Sequence, residues 1–300
     1  MNTGLTPGRS GVGLRHTANL VLDHEVSELR LIVERRGGVL LAYPQDILCE
    51  KLGQYLEARQ LKSVADLLGR VQASEAECED LLAHLLDGDT GYFRHPNAFA
   101  AFQNRVLPGL LEKKAAPDDL QSLRIWSAGC STGEEAYSIG LCVCDAMSGR
   151  VVARSIHILA TDIRQDALTF AEHGLYPQAA LAGIPRDRIQ TYFTKIGQHF
   201  LAKPRLRNLI TFTQMNLARP AYLGRFDCIF CMDVLPHFST VQRIALAQRL
   251  HLYLEPGGYL LLGDGEKLPT ADVAFQSEMH KGFMLYRKPL ATAAGAGKLF

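Results

Sequence analysis

A run of small residues, followed by a strand that ends in a carboxylate, is the part of this chain best suited to chemistry. The segment RIWSAGCSTGEEAYS, residues 124–138, is typical of a strand, a glycine-bearing loop and the start of a helix. Its loop, 127–133, contains only small residues, so the backbone can approach a ligand without obstruction. A second strand-like run ends in Asp162, whose carboxylate can accept hydrogen bonds from a ribose diol. This order predicts a nucleotide-sized pocket at the carboxyl edge of a parallel sheet.

The loop lacks the two glycine signatures of phosphate binding. Neither G-x-G-x-x-G nor G-x-x-x-x-G-K-[ST] occurs in the chain, and these are the loops that grip a pyrophosphate or a triphosphate. A nucleoside without phosphates therefore suits the pocket better, and S-adenosylmethionine is the common one. We expect S-adenosylmethionine as the cofactor and S-adenosylhomocysteine as its product.

The elements that must position these residues follow from the hydrophobic periodicity. Residues 19–87 show helical patterning, with cap-type serines at Ser63 and Ser74. Beyond a break at 87–90, strands alternate with helices, which predicts a parallel sheet covered on both faces. The last long helix is expected to begin at Ser239 and to end at the sequence Pro-Gly-Gly, 256–258. The expected strands are 123–128, 155–161, 210–216, 226–232, 259–263 and 282–288, and the expected helices are 134–147, 166–173 and 239–254.

The chain is expected to contain two domains between two tails. We predict a flexible tail at 1–17, a helical domain at 18–89, an α/β domain at 90–289 and a flexible, low-complexity tail at 290–300. Residues 176–209 do not fit the alternation of strands and helices, so we expect an inserted subdomain there.

Composition favours a cytoplasmic protein that needs no metal. Apolar residues make up 47% of the 300 residues, no apolar run approaches the ~20 residues needed to span a bilayer, and the N-terminus lacks an apolar signal core. Cys228 and Cys231 have C-x-x-C spacing, but they lie within a strand-like run. Buried thiols are favoured there over a redox pair or a zinc site, because no second ligand pair completes a metal set. We expect no metal and no direct membrane insertion.

The small net charge of +1 hides an uneven distribution. Residues 1–89 carry 9 Lys and Arg against 14 Asp and Glu, which gives −5, and residues 90–300 carry 23 against 17, which gives +6. The window 186–225 has eight basic residues and one acidic residue, a pattern that suits either an acidic partner or a solvated surface. Because the chain is nearly neutral and has no basic stripe studded with aromatic residues, we expect no nucleic-acid partner.

Four motifs stand in a characteristic order along the chain. They are TGYFR at 90–94, WSAGCSTGEEAYS at 126–138, ATDI at 160–163 and FDCIFC at 226–231. This set resembles the motifs of the chemotaxis-receptor (CheR-type) protein-glutamate O-methyltransferases, which are T-x-F-F-R, W-S-A-x-x-S-T-G-E-E-x-Y-S, A-[ST]-D-I and F-D-x-I-F-C. The T-G-E-E segment is highly specific to that family, and the resemblance covers residues 20–288.

The resemblance implies a fold, an activity and a partner. The fold is α/β, a Rossmann-like S-adenosylmethionine-dependent methyltransferase domain with a small inserted β-subdomain, preceded by a small all-helical domain. The activity is methyl transfer to glutamate carboxylates on the cytoplasmic domain of a chemoreceptor-like coiled-coil protein. In relatives a basic helix of the N-terminal domain meets the receptor, whereas here that domain is net acidic. The short insert argues against tethering to a receptor C-terminal peptide.

The resemblance also implies roles for matching residues. Those expected to contact the cofactor are Thr90, Arg94, Ala128, Glu134, Glu135, Asp162, Asn216, Leu217, Met232 and Asp233. Asp162 is expected to hold the ribose, Glu134 or Glu135 the methionine part, and Asn216 with Leu217 the adenine side. Alternatives remain, because first-turn glutamates are favoured by the helix dipole in any case, and Asp162 can also cap the following helix.

One landmark departs from the family pattern. C-R-N-V-[LM]-I-Y-F is replaced by CMDVLPHF at 231–238, so that Arg becomes Met232, Asn becomes Asp233 and Tyr becomes His237. Met232 donates no hydrogen bond, and an ionised Asp233 accepts only and adds a negative charge. That charge favours a sulfonium cation, but it also repels an incoming carboxylate.

The acceptor decides which residues are catalytic. A glutamate carboxylate is ionised at neutral pH, so its methylation needs alignment and partial desolvation rather than a base. Arg94 is expected to hold one carboxylate oxygen while the other attacks. If the acceptor is instead a hydroxyl group, His237 becomes the base. A further alternative is a degenerate member that binds the cofactor or a receptor without catalysis.

Overall fold

The structure is a computed structural model that describes residues 23–86, 90–113, 122–148, 155–221, 223–269 and 273–290. The predicted tail at 1–17 and, apart from Leu290, the tail at 290–300 lie outside the described residues. The chain divides into two compact units, Met1–Asp87 and Gly88–Phe300, which are described separately below. Over the described residues, no helix has the length and apolar character that crossing a membrane requires.

The first unit is helical over its described residues. Its helices are α1 (Asp23–Gly37), α2 (Gln45–Ala58), α3 (Val64–Ala73) and α4 (Glu75–Leu85). The predicted serine caps are confirmed, since Ser63 Oγ accepts from the amide of Asp66 at 3.2 Å and Ser74 Oγ accepts from the amide of Glu77 at 3.3 Å. Apolar side chains from all four helices are fully buried, and α1, α3 and α4 pack against one another.

The second unit contains a seven-stranded sheet, a small separate sheet and the helices that cover them. Its helices are α5 (Pro96–Ala101), α6 (Leu107–Lys113), α7 (Glu134–Met147), α8 (Gln165–His173), α9 (Arg186–Tyr192), α10 (Pro204–Arg207) and α11 (Thr240–Tyr253). Its strands are β1 (Leu123–Ala128), β2 (Ile156–Asp162), β3 (Leu175–Pro177), β4 (Phe193–Ile196), β5 (His199–Ala202), β6 (Ile210–Gln214), β7 (Phe226–Cys231), β8 (Leu254–Leu262), β9 (Gln276–His280) and β10 (Phe283–Arg287). The expected α/β Rossmann-like fold is confirmed.

The large sheet has the order β6-β2-β1-β7-β8-β10-β9. The first five strands in that order are parallel, as predicted, whereas β10 pairs antiparallel with β8 and β9 pairs antiparallel with β10. Strand β9 was not predicted, because its sequence QSEMH is polar and lies at the sheet edge, where no apolar alternation is required. Ser239 caps α11 as predicted, through its bond to the amide of Gln242.

The predicted start of the fifth parallel strand, at residue 259, is wrong. Strand β8 begins at Leu254 and runs through the Pro-Gly-Gly sequence. The amide of Gly257 donates to the carbonyl of Lys288 at 2.9 Å, and the amide of Lys288 returns a bond to Gly258. Pairing with neighbouring chain thus outweighs the local preference of Pro-Gly-Gly for a turn.

A second, three-stranded antiparallel sheet, β3-β5-β4, lies within the segment that interrupts the alternation. Its buried residues Tyr176 and Phe193 cluster with Tyr192, the last residue of α9, and with Tyr137 of α7. The hydroxyl of Tyr176 donates to the carbonyl of Thr132 at 2.6 Å, so this sheet supports the loop between β1 and α7. The limits predicted for an inserted subdomain, 176–209, and for the two domains stay predictions.

Cys228 and Cys231 are fully buried free thiols in β7, as predicted. Burial raises the pKa of both thiols well above the usual range, which keeps them protonated and unreactive. Among the described residues, no group of His, Cys, Asp and Glu side chains is placed to hold a metal ion.

Candidate active site

The carboxyl ends of four neighbouring parallel strands bring the predicted site residues to one edge of the sheet. Asn216 and Leu217 follow β6, Asp162 ends β2, Ala128 ends β1, and Met232 with Asp233 follows β7. Since these strands are adjacent in the order β6-β2-β1-β7, the residues span three strand spacings, about 15 Å. A sheet edge of this kind is where open α/β folds bind ligands.

The loop after β1 is held close to the end of β2. The amides of Gly129 and Cys130 both donate to the carbonyl of Thr161, at 2.8 and 2.9 Å. Gly129 has φ +87°, and a Cβ there would lie 2.6 Å from Cγ2 of Val234. Gly133 has φ +96°, and a Cβ there would lie 2.7 Å from the side chain of Ala171. The small residues of this loop are therefore required by close packing as well as by access for a ligand.

Asp162 connects the two loops at the centre of this edge. Its side chain is buried; Oδ2 accepts from the amide of Ser131 at 2.8 Å, and Oδ1 accepts from the amide of Arg164 at 2.9 Å. The second bond goes to Arg164, which precedes α8, and not to an amide of the first turn, so it is not the helix cap that the alternative reading of the sequence describes. Each carboxylate oxygen can accept further bonds, which leaves ribose binding compatible with these contacts.

Arg164 is a site residue that the sequence analysis missed. Its Nε lies 3.3 Å from Oδ1 of Asp162, its Nη2 donates to Oγ of Ser131 at 2.6 Å, and its side chain is only 14% exposed. The guanidinium thus balances the charge of Asp162 and holds the β1–α7 loop. Its position directly after the ATDI motif was the available sequence signal.

The two first-turn glutamates of α7 have different partners. Oε2 of Glu134 accepts from the hydroxyl of Thr132 at 2.7 Å, and the hydroxyl of Thr90 also hydrogen-bonds to Glu134. Oε1 of Glu135 accepts from the hydroxyl of Ser127 at 2.6 Å. Burial raises the pKa of Glu134, and burial raises the pKa of Glu135 to about 8, with the charges of Asp233 and Glu266 adding to the second shift. Stabilising a helix dipole requires no such burial, which favours a ligand-related role for this pair.

The raised pKa of Glu135 makes stability depend on pH. The folded protein keeps the proton on Glu135 up to about pH 8, whereas the unfolded chain loses it near pH 4.5. The contribution of Glu135 to the free energy of unfolding is therefore fully present below pH 4.5 and is lost as the pH rises to 8. Glu135→Gln stays neutral throughout. We expect urea unfolding to show the variant more stable than the wild type by on the order of 2 kcal/mol near pH 9, with little difference near pH 4. Glu172→Gln, an exposed carboxylate in α8, is the control, and equal differences at both pH values would contradict the assignment.

Asp233 joins two motifs that lie far apart in the sequence. Its Oδ2 lies 3.0 Å from Nε of Arg94 and 2.8 Å from Nε2 of His95. Its amide donates to Oε2 of Glu266 at 3.0 Å. The charge that was expected to repel a carboxylate is therefore offset by Arg94, and the departure from the family pattern leaves no unpaired anion at this position.

Backbone strain concentrates at the same edge. In the described part of the chain, five residues other than glycine have positive φ, and three of them are Phe93 (+53°), Ser131 (+51°) and Asp233 (+58°). Phe93 precedes Arg94, Ser131 donates its amide to Asp162, and Asp233 is itself a predicted site residue. Such conformations are costly for residues with a Cβ and tend to persist where function requires them.

The remaining predicted residues are placed as follows. Met232 is buried in the hydrophobic core around the sheet, so an arginine there would place a charge in that core. Asn216 is buried, with Oδ1 accepting from the amide of Ala218, and Leu217 is half-buried. His237 is half-buried and ends the short turn Leu235–His237. The structure thus brings together Thr90 with Glu134 and Arg94 with Asp233, and it places Asn216 and Leu217 at the other end of the edge.

The chemistry of this edge fits S-adenosylmethionine. Besides Glu135, which keeps its proton up to about pH 8, four carboxyl groups lie close enough for their charges to interact with one another or with the guanidinium groups of Arg94 and Arg164; they are Glu134, Asp162, Asp233 and Glu266. An acidic lining suits a sulfonium cation.

Comparison with known proteins supports the same pocket. Residues 88–283 match the family model described as CheR methyltransferase, SAM binding domain. Chemotaxis protein methyltransferase 1 of Pseudomonas aeruginosa is 31% identical over 265 residues, which cover 86% of this chain and 95% of that protein. Chemotaxis protein methyltransferase Cher2 of Pseudomonas putida is 32% identical over 255 residues, covering 82% and 90%, and the chemotaxis protein methyltransferase of Borreliella burgdorferi is 30% identical over 256 residues, covering 83% and 90%.

Proposed function

Since the chain belongs to the CheR methyltransferase family, whose domain binds S-adenosylmethionine, we propose that it methylates glutamate side chains of a chemoreceptor-like protein. The acceptor is the cytoplasmic coiled-coil domain of that protein, and the products are a γ-glutamyl methyl ester and S-adenosylhomocysteine. The observation that carries the proposal is the position of Arg94, whose side chain is 38% exposed beside the acidic edge of the sheet and whose guanidinium pairs with Asp233.

The proposed cofactor contacts follow the order of the strands. Asn216 and Leu217 hold the adenine side, Asp162 holds the ribose, and Glu134 with Thr90 holds the methionine end. The backbone at Ala128 lines the pocket between them. This assignment is supported by the positions of these residues along the carboxyl edge and by the contact between Thr90 and Glu134.

The proposed mechanism needs no general base. The cofactor supplies an electrophilic methyl group on a sulfonium centre. Arg94 donates to one oxygen of the acceptor carboxylate and orients the other for in-line attack, while Asp233 and His95 hold the guanidinium in place. The lining carboxylates favour a cation over the neutral product. No proton has to move at the acceptor, because the glutamate is already ionised.

The stability of the transferred methyl group to alkali tests this function. The purified protein is incubated with methyl-tritiated S-adenosylmethionine and the cytoplasmic fragment of a chemoreceptor. We expect label on the fragment that alkali releases as volatile methanol, because esters hydrolyse and ethers do not. A fragment with its candidate glutamates replaced by alanine is the control. Label that resists alkali would indicate a hydroxyl acceptor with His237 as base, and cofactor binding without transfer would indicate a degenerate member.

A cytoplasmic location and the mode of receptor docking are part of the same proposal. The first 89 residues carry a net charge of −5, so a strongly basic N-terminal docking helix is not supported. The antiparallel sheet β3-β5-β4 has a short hairpin between β4 and β5, from which we infer that the protein works without a tether to a receptor C-terminal peptide.

A further inference from the structure

His95 lies at the centre of the contacts around Asp233. The amide of Asp264 donates to Nδ1 of His95 at 3.1 Å. A ring nitrogen that accepts a hydrogen bond carries no proton, so the proton of the neutral imidazole is on Nε2. Nε2 then donates to Oδ2 of Asp233 at 2.8 Å. The His95 side chain is only 12% exposed, whereas that of its partner Asp233 is 43% exposed.

Asp233 is held from its backbone as well as from its side chain. Oε2 of Glu266 accepts from the amides of both Asp233 and Gly263, at 3.0 and 2.7 Å. A Cβ at Gly263 would lie 2.8 Å from Oε2 of Glu266, 3.0 Å from Oδ1 of Asp233 and 3.2 Å from Cε1 of His95. The three side chains thus meet around Gly263, and the bond from His95 together with the backbone bond to Glu266 restrains the direction of the Asp233 carboxylate.

The same carboxylate oxygen meets Arg94. Oδ2 of Asp233 lies 3.0 Å from Nε of Arg94, which is the nitrogen nearest the backbone of that side chain. A carboxylate held by His95 therefore keeps its negative charge beside Nε of Arg94, and this ion pair restrains the guanidinium. Without the bond from His95, the carboxylate can rotate and the guanidinium can follow it.

His95 has no helix-capping role that would explain its presence. It occupies the residue before α5, where Ser, Thr, Asp or Asn commonly caps, yet its side chain makes no capping bond. The side chain turns instead to Asp233 and Asp264, residues that lie more than 130 positions away in the sequence.

We propose that His95 is a positioning residue, which acts through Asp233 to orient the guanidinium of Arg94 toward the acceptor carboxylate. The inference rests on the proposed function, in which Arg94 holds that carboxylate. It assigns a role to the Asp233 substitution, because the aspartate hydrogen-bonds to His95 and forms an ion pair with Arg94.

Two isosteric variants separate this role from a purely structural one. His95→Gln places an amide near the position of Nε2 and keeps a donor to Asp233, whereas His95→Asn places an amide near Nδ1 and keeps only the contact with the amide of Asp264. We expect His95→Asn to lower kcat/KM for the receptor fragment at least about tenfold, and His95→Gln to recover most of that loss. Cofactor affinity measured by calorimetry changes little in both. The reverse order, with Asn active and Gln impaired, would show that His95 only tethers the 263–266 loop and would overturn the proposal.

NMR spectroscopy tests the proposal without an activity assay. In ¹⁵N-labelled wild type, the ring shifts of His95 are expected to show a protonated Nε2 and an unprotonated Nδ1, and the Nε–H resonance of Arg94 is expected to move in His95→Asn but to stay in place in His95→Gln. The proposal is contradicted by a protonated Nδ1 in the wild type, or by an Arg94 Nε–H resonance that has the same chemical shift in the wild type and in both variants. If no receptor fragment is methylated, the proposed function fails while these spectra still test His95. His173→Asn, an exposed histidine in α8, is the control and leaves both readouts unchanged.

Discussion

Asp162→Ala is expected to weaken S-adenosylmethionine binding at least about 100-fold. The substitution removes the carboxylate proposed to hold the ribose, and it also removes the acceptor for the amides of Ser131 and Arg164. Hydrogen bonds to charged groups contribute about 1.5–3 kcal/mol each, so the loss of the ribose contacts and of loop order accounts for this factor. Titration calorimetry with S-adenosylmethionine and S-adenosylhomocysteine measures it.

Two matched variants make this result specific. Asp166→Ala removes an exposed carboxylate in the first turn of α8, close to Asp162 in sequence, and is expected to bind within about twofold of the wild type. Asp162→Asn keeps an oxygen that can accept from Ser131 but loses the charge paired with Arg164, and an intermediate affinity is expected. Thermal unfolding confirms that each variant is folded. Wild-type affinity in a folded Asp162→Ala variant would remove Asp162 from the proposed cofactor site.

Arg94→Ala is expected to lower kcat/KM for the acceptor by about 100- to 1,000-fold. The variant loses the donor that holds the acceptor carboxylate, and it removes the guanidinium that pairs with the negative charge of Asp233. The remaining anion then repels the incoming glutamate, so the two effects act in the same direction. Steady-state kinetics with a receptor fragment, at saturating cofactor, measure the loss.

A nearby arginine provides the control for that loss. Arg188 lies 5.6 Å from the ring centroid of Phe93, the neighbour of Arg94, but its guanidinium pairs with Asp145 at 2.8 Å. Arg188→Ala is expected to retain activity within about threefold. Arg94→Lys keeps the charge but not the planar donors, so an activity between those of the wild type and Arg94→Ala is expected. The role proposed for Arg94 is wrong if its alanine variant is no more impaired than Arg188→Ala.

Several elements were predicted from local sequence alone because local interactions specify them. The bounds of β1 and α7 match the prediction residue for residue, and the serine caps of α3, α4 and α11 are present. A helix cap depends on residues three positions apart, and a buried strand is recognised by a continuous run of apolar residues. The placement of Ala128 and Asp162 at one sheet edge follows from the same logic, since a strand–loop–helix–strand order allows few topologies.

Other features depend on contacts that no local pattern encodes. Strand β8 extends back to Leu254 because residues 257 and 258 pair with Lys288, which overrides the turn preference of Pro-Gly-Gly. The insertion of β10 between β8 and β9 is likewise a matter of long-range pairing. Arg164 was missed because an arginine after a strand is unremarkable until its partners, Asp162 and Ser131, are known.

The sequence by itself determined the family, the order of the elements and the nucleoside-type pocket, because contiguous motifs such as TGEE and ATDI carry that information. Only the tertiary structure decided what Asp233 does. From the sequence it was an added charge, whereas in the fold it pairs with the guanidinium of Arg94 and hydrogen-bonds to His95, residues more than 130 positions away. The electrostatic energy of an ionised side chain depends on the charged and polar groups within a few ångströms of it. Which groups lie that close is determined by the order of the strands in the sheet and not by distance along the sequence.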